Sequence, residues 1–219
     1  TITGYPLLDG AVRSGGICQK EGLVKKIGFD PNKPLVLLIT QPFVEDGLWT
    51  KKLRNFFLKS VTDSLARKGF QLVIKLHPRE DLCLETAEHH QDVFITRDMS
   101  LEELMLASDV VVTVSSTAGL WALAYGKPLV VLNCFPSGVG RNLLKDLGIC
   151  VDTLTELPNI MMRVLDKESK VNRLQYSDVL AGHVYRLDGK SSERIARLIL
   201  ILLKKKPLPL SKNYQGAIF

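Results

Sequence analysis

Short apolar runs alternate with helical stripes along the chain. Leu35–Thr40 (LVLLIT), Gln71–Leu76 (QLVIKL), Val93–Thr96, Val110–Val114 and Leu129–Leu132 are rich in Val, Ile and Leu without polar alternation. Strands covered on both faces of a parallel sheet read this way. Ile149–Val151 is a weaker sixth run. Between the first two runs, Trp49, Leu53, Phe56, Phe57, Val61 and Leu65 keep helical spacing across Trp49–Lys68, and Gly69 ends the helix. Leu101–Ala107 predicts a short helix opened by Ser100, with Glu103 three residues on as a capping box. Thr117–Tyr125, Arg141–Leu147, Leu157–Leu165 and Ser191–Leu203 complete the helices.

This alternation predicts an α/β fold, a Rossmann-like doubly wound parallel sheet with right-handed crossovers. Such sheets bind ligands outside the carboxyl ends of their strands. The candidate site therefore falls at Thr40–Phe43, Leu76–Arg79, Thr96–Asp98, Val114–Thr117 and Asn133–Gly140. Residues 1–33 read as a linker with a small helix, Lys20–Ile27. Residues 34–206 read as the domain and 207–219 as a tail. The chain opens on TITGYPLLDG without a Met, so a fragment or processed chain lacking an N-terminal domain is expected.

Composition narrows the partners. With 219 residues, 46% of them hydrophobic, a normal core is expected. The net charge of +6 points to phosphates, nucleic acid or an anionic membrane face. No interleaving of basic and aromatic residues favours nucleic acid. Lys204–Lys206 close a helix, where cations suit the dipole; peripheral membrane contact is the weaker reading. The aliphatic run Leu198–Leu203 is far short of the roughly 20 residues a bilayer span takes. Cys18, Cys83, Cys134 and Cys150 form no C-x-x-C pair, and the last two lie in or beside apolar runs as small hydrophobes. This usage fits a reducing cytosol. His89 and His90 are adjacent, point different ways on a helix and have only Cys83 near, so no metal site is expected.

Two strand-end stretches carry the candidate chemistry. In KLHPRE (75–80), Pro78 stops strand pairing just after His77. The imidazole either faces solvent or caps a helix, or it meets a phosphate with Arg79 as a second donor. Ser115-Ser116-Thr117 stands between a strand and a helix. One hydroxyl caps the helix, and the others either cap as well or hold an anion at its free amides. Gly119 would let a ligand approach the backbone. Thr40, Gln41, Asn133, Ser137 and Gly138 are strand-end neighbours of the same site. GKS at 189–191 is no Walker A loop, GVGRNL at 138–143 lacks a third glycine, and no G-x-S-x-G elbow is present.

Taken in order, HP at 77–78, SS at 115–116, TGYPLLDG at 3–10 and RLDGKSSERIARLI at 186–199 resemble the C-terminal half of GT-B glycosyltransferases. The group in question holds CDP-glycerol glycerophosphotransferases, polysialyltransferase-like enzymes and UDP-N-acetylglucosamine 2-epimerase. The resemblance implies a donor-nucleotide domain of a metal-independent glycosyl or polyol-phosphate transferase, serving surface polysaccharide or glycoconjugate synthesis in the cytoplasm or at the inner membrane face. It implies a CMP-, CDP- or UDP-linked donor and no further cofactor, with the acceptor glycan bound through the missing N-terminal domain. His77 would stabilise charge on the departing nucleotide, and Ser115, Ser116 and Thr117 would grip its phosphate. Glu45-Asp46-Gly47 spells the acidic motif of polysialyltransferase-like enzymes but follows the first strand of this domain, so it reads as a loop with no base role. The epimerase ranks second, because it has Ser-Gly-Gly in place of Ser-Ser-Thr and an Arg/Glu-rich stretch in place of NCFPSGVGRN. A nucleotide-sugar-binding domain without activity of its own is the third reading.

Overall fold

Each of the six apolar runs forms a strand of one parallel sheet. The computed structural model describes residues 3–13, 20–81, 90–136, 143–166 and 184–205. The strands are β1 (Leu35–Ile39), β2 (Gln71–Lys75), β3 (Val93–Thr96), β4 (Val110–Thr113), β5 (Leu129–Leu132) and β6 (Ile149–Val151), in the spatial order β3-β2-β1-β4-β5-β6. Three of the runs leave the ladder one residue earlier than expected, at Ile39, Lys75 and Thr113.

Alternate residues feed two hydrophobic layers. Val36 and Leu38 face one way, with Leu72, Ile74, Val110, Val112, Val130 and Leu132 beside them. Two helices cover that side, α3 (Lys51–Ala66) and α6 (Leu157–Leu165). Thr50 caps α3 by accepting from the Leu53 N–H at 3.1 Å. Leu35, Leu37 and Ile39 face the other side. There they meet α2 (Lys20–Lys26), α4 (Leu101–Ala107) and α5 (Gly119–Ala124). Burial on both faces is why these runs carry no polar alternation.

The N-terminal segment is more than a linker. A 3-10 turn at Pro6–Leu8 leads into α1 (Asp9–Arg13), and Leu8, Val24 and Phe29 are buried in the second layer. Asp9 also caps the last helix, α7 (Ser191–Lys205). Its carboxylate accepts from the Ser191 N–H at 3.0 Å, the Ser192 N–H at 2.8 Å and the Ser192 hydroxyl at 2.7 Å. Burial works to raise the Asp9 pKa, but the bonds from Ser192 and Ser191 outweigh it and hold the pKa at about 2. Arg194 Nε donates to the Thr3 carbonyl at 2.7 Å. Gly4 lies between them at φ +96, where a Cβ would stand 2.5 Å from Ser191 Oγ.

Other expectations shift in detail. Ser100 precedes α4 but its side chain makes no capping bond, so the predicted capping box does not form. Of Arg141–Leu147, the structure shows a 3-10 turn at Leu143–Asp146, and residues 141–142 lie outside the described part. Cys134 and Cys150 are free and half-buried, and burial pushes both thiols up, as in unreactive cysteines. Cys18, Cys83 and His89 lie outside the described residues. Ile199–Leu203 on α7 are exposed, and no helix among the described residues is long and apolar enough to cross a membrane.

Candidate nucleotide site at the switch point

The strand order reverses between β1 and β4, the position where doubly wound sheets open a crevice for ligands. Ile39 is in register with Lys75 of β2 and Thr113 of β4, and Thr113 is in register with Val131 of β5. Two residues beyond each of these lie His77, Gln41, Ser115 and Asn133. They form one row across the carboxyl edge of the sheet. His77 and Ser115 follow the strands on either side of β1, which carries Gln41 just past its end.

Gln41 and Ser115 bridge the reversal. The Ser115 N–H donates to Gln41 Oε1 at 2.9 Å, and Gln41 Nε2 donates to Ser115 Oγ at 3.0 Å. Ser116 is held below by its N–H on Thr113 Oγ1 at 3.3 Å, and its own hydroxyl accepts from the Ala118 N–H at 3.3 Å. Ser116 therefore braces the turn before the helix, whose N-cap residue, Ala118, provides no side-chain cap. The exposed Thr117 hydroxyl has no partner among the described residues. The helix begins later than expected, at Gly119, because residues 116–121 first wind through tight bonds of the 3-10 type, Gly119 N to Ser116 O and Leu120 N to Thr117 O.

Gly119 does not face a ligand. It is buried, and an added Cβ would lie 2.9 Å from Leu144 Cδ1 and 3.2 Å from Leu129 Cδ2. Its missing side chain lets the helix close on the core. Thr40 is likewise turned inward, with its hydroxyl on the Glu80 carboxylate and the Lys75 carbonyl. Asn133 binds Asp152 at 2.5 Å. Ser137 and Gly138 lie outside the described residues.

Beyond β2, residues 77–81 form a turn built on His77. The Glu80 N–H donates to the His77 carbonyl at 3.0 Å, and the His77 N–H donates to the Glu80 carboxylate at 2.7 Å. The Arg79 N–H donates to His77 Nδ1 at 3.2 Å. An accepting Nδ1 puts the ring proton of the neutral imidazole on Nε2. Burial lowers the His77 pKa, with Arg79 and Lys75 adding to this and Asp46 and Glu45 opposing it. At neutral pH the ring is thus an uncharged donor through Nε2.

Glu45-Asp46-Gly47 forms a turn, as expected of a loop, and clasps the His77 turn. Glu45 Oε1 accepts from the Asp81 N–H and from Arg54 of α3, both at 3.1 Å. Asp46 pairs with the exposed Arg79 guanidinium at 2.9 Å. Trp49 anchors the same turn through its Nε1–H on the Pro136 carbonyl at 2.7 Å and a ring contact with Phe43 at 4.6 Å. Two members of this network escape the sequence reading, the buried Glu80 and the buried Arg54. A carboxylate three residues after a strand-end histidine is the local sign of Glu80.

A six-stranded parallel sheet in this order, with helices on both faces, is a Rossmann-like fold of the GT-B kind. The family described as capsule polysaccharide biosynthesis protein matches residues 30–135, which contain Gln41, His77, Ser115–Thr117 and Asn133. No functionally curated protein matches the chain significantly. Among solved structures, the calicheamicin glycosyltransferase CalG4 is similar with a TM-score of 0.60 at 14% identity, over 82% of this chain and 44% of its own. The wall teichoic acid polymerase TagF gives a TM-score of 0.55 at 18% identity, over 94% and 51%. The UDP-GlcNAc 2-epimerase of Methanocaldococcus jannaschii gives 0.61 at 14% identity, over 92% and 54%. At these identities the likeness is one of fold. The chain spans about half the length of each of these proteins.

Proposed function

We propose that this chain is the donor-nucleotide domain of a GT-B-type glycosyl or polyol-phosphate transferase of capsule or related surface polysaccharide synthesis. The observation that carries the reading is the row His77–Gln41–Ser115 at the switch point, inside the stretch matched by the capsule family. A CMP-, CDP- or UDP-linked donor lies with its phosphate against this row. Breaking the donor bond leaves charge on the nucleotide phosphate. Its receivers are His77 Nε2–H and the Thr117 hydroxyl, while Gln41 and Ser115 keep the two strand ends at fixed separation. Fixed donors of this kind commonly contribute a few kcal/mol to a transition state, about 3 kcal/mol for one. The base that takes the acceptor proton and the acceptor site itself lie elsewhere in the full enzyme. The reaction on this reading is metal-independent, so excess EDTA leaves the turnover of the full enzyme unchanged.

Thermal melts with CMP, CDP, UMP, UDP, GDP and ADP test the reading. Ligand at about 100-fold its Kd adds roughly 3 kcal/mol to the native state. One nucleotide should raise the melting temperature by several degrees, and His77→Ala and Thr117→Val should abolish most of that rise. A folded protein that responds to none of the six overturns the reading. The epimerase alternative rests on fold likeness alone. Interconversion of UDP-GlcNAc and its 2-epimer without any acceptor would establish it instead.

A further inference from the structure

We infer that Glu80 is the positioning residue of the His77 turn, fixing where the imidazole Nε2 points; the consequence for nucleotide binding rests on the function proposed above. Glu80 is 3% exposed and carries an ionisable group at the carboxyl edge of the sheet. One carboxylate oxygen, Oε2, gathers two donors from different strand ends. These are the His77 N–H at 2.7 Å, after β2, and the Thr40 hydroxyl, after β1. The same residue donates its own N–H to the His77 carbonyl at 3.0 Å, closing a reciprocal ring. The Glu80 carbonyl accepts from the Arg97 guanidinium after β3. One residue thus ties together the ends of three adjacent strands.

The ring spends three polar atoms of His77. Its N–H and carbonyl go to Glu80 and its Nδ1 to the Arg79 N–H, leaving Nε2 for the crevice. Burial raises the Glu80 pKa, against the bonds from Thr40 and His77. A side chain that is costly to ionise is a poor choice for packing alone. It is a good one where an acceptor must reach two donors at once.

The test reads the imidazole directly and needs no nucleotide. The ring of His77 is titrated by NMR in the full protein, with His77→Gln to assign its resonance, in wild type, Glu80→Ala and Glu80→Gln. The charged groups about the ring are Arg79, Asp46, Lys75 and Glu45, and they are the same in all three. In Glu80→Ala the released ring gains solvent, so its pKa should rise toward the ordinary histidine value. Glu80→Gln, which keeps an acceptor oxygen, should restore the wild-type titration. A role through charge alone predicts the opposite, a fall in both variants, because a neighbouring anion would be lost. That fall, or an unchanged ring in Glu80→Ala, overturns the inference. Should Glu80→Ala not fold, Glu80→Asp replaces it; its oxygen is withdrawn by about one bond length, and the same rise is expected. A second arm measures nucleotide affinity in the same proteins, with at least a tenfold loss expected in Glu80→Ala and most of it recovered in Glu80→Gln. If wild type binds no nucleotide yet the ring responds as described, the function proposed above fails and the positioning role of Glu80 stands.

Discussion

The turns on either side of β1 lie at one level of the sheet and are held by opposite chemistry. The His77 turn is gripped by ionisable groups: Glu80 from within, Glu45 through Asp81 and Arg54, and Asp46 through Arg79. The Ser115–Thr117 turn is held by neutral ones, the Gln41 amide and the Thr113 and Ser116 hydroxyls. The first arrangement aims a ring and offsets its carboxylates with Arg79, Arg54 and Lys75. The second carries no charge of its own. On the proposed function, phosphate is received between the uncharged serine turn and the neutral donor of His77.

The comparison breaks most visibly at Glu80. Glu80→Ala leaves the His77 N–H and Thr40 hydroxyl without their buried acceptor, and a loss of about 2–3 kcal/mol in urea unfolding is expected. On the serine side, Gly119→Ala should cost about 1–2 kcal/mol by pressing on Leu144 and Leu129, with nucleotide affinity unchanged. An affinity loss without a stability loss would restore Gly119 to the ligand surface. Gln41→Ala removes a neutral bridge from a half-buried site and should cost about 1 kcal/mol.

The pH dependence separates the turns further. The Glu80 pKa is raised on folding, so its contribution to stability is complete below the unfolded value of 4.5 and is lost as pH rises through the folded value. Glu80→Gln has no such loss. Relative to wild type, its melting temperature should improve as pH climbs from 4.5 toward neutrality, whereas Gln41→Ala should show a constant deficit. The smallest effect belongs to Asp46→Asn, which cuts an exposed pair with Arg79 and should change stability by less than about 0.5 kcal/mol.

The sheet was legible in the sequence because its strands are buried on both faces, and runs such as VVVT and LVVL admit few other uses. Their ends were less so. Thr40 and Val114 are as β-prone as the residues before them, and only the departure of the neighbouring chain ends the ladder. His77 and the serine turn were legible as strand-end polar residues. Gly119 was misread because a glycine early in a helix fits a ligand and a leucine equally well, and Leu144 is 25 residues away in the chain. Glu80 and Arg54 were missed for a related reason. Charged residues are expected at the surface, and burial becomes sensible only when Thr40, 40 residues before Glu80, and Glu45, 9 before Arg54, fold back to receive them.

The cap that Asp9 places on α7 has a mechanical consequence. Thr3, Gly4 and Asp9 meet Ser191, Ser192 and Arg194 across more than 180 positions of chain, so the described domain is fastened near both of its ends. Tension applied between the ends loads this clasp before it reaches any strand. The clasp should give way before load reaches β1, at the centre of the sheet. Extension should therefore begin with a low-force yield that Asp9→Ala abolishes, followed by a separate, higher rupture of the sheet.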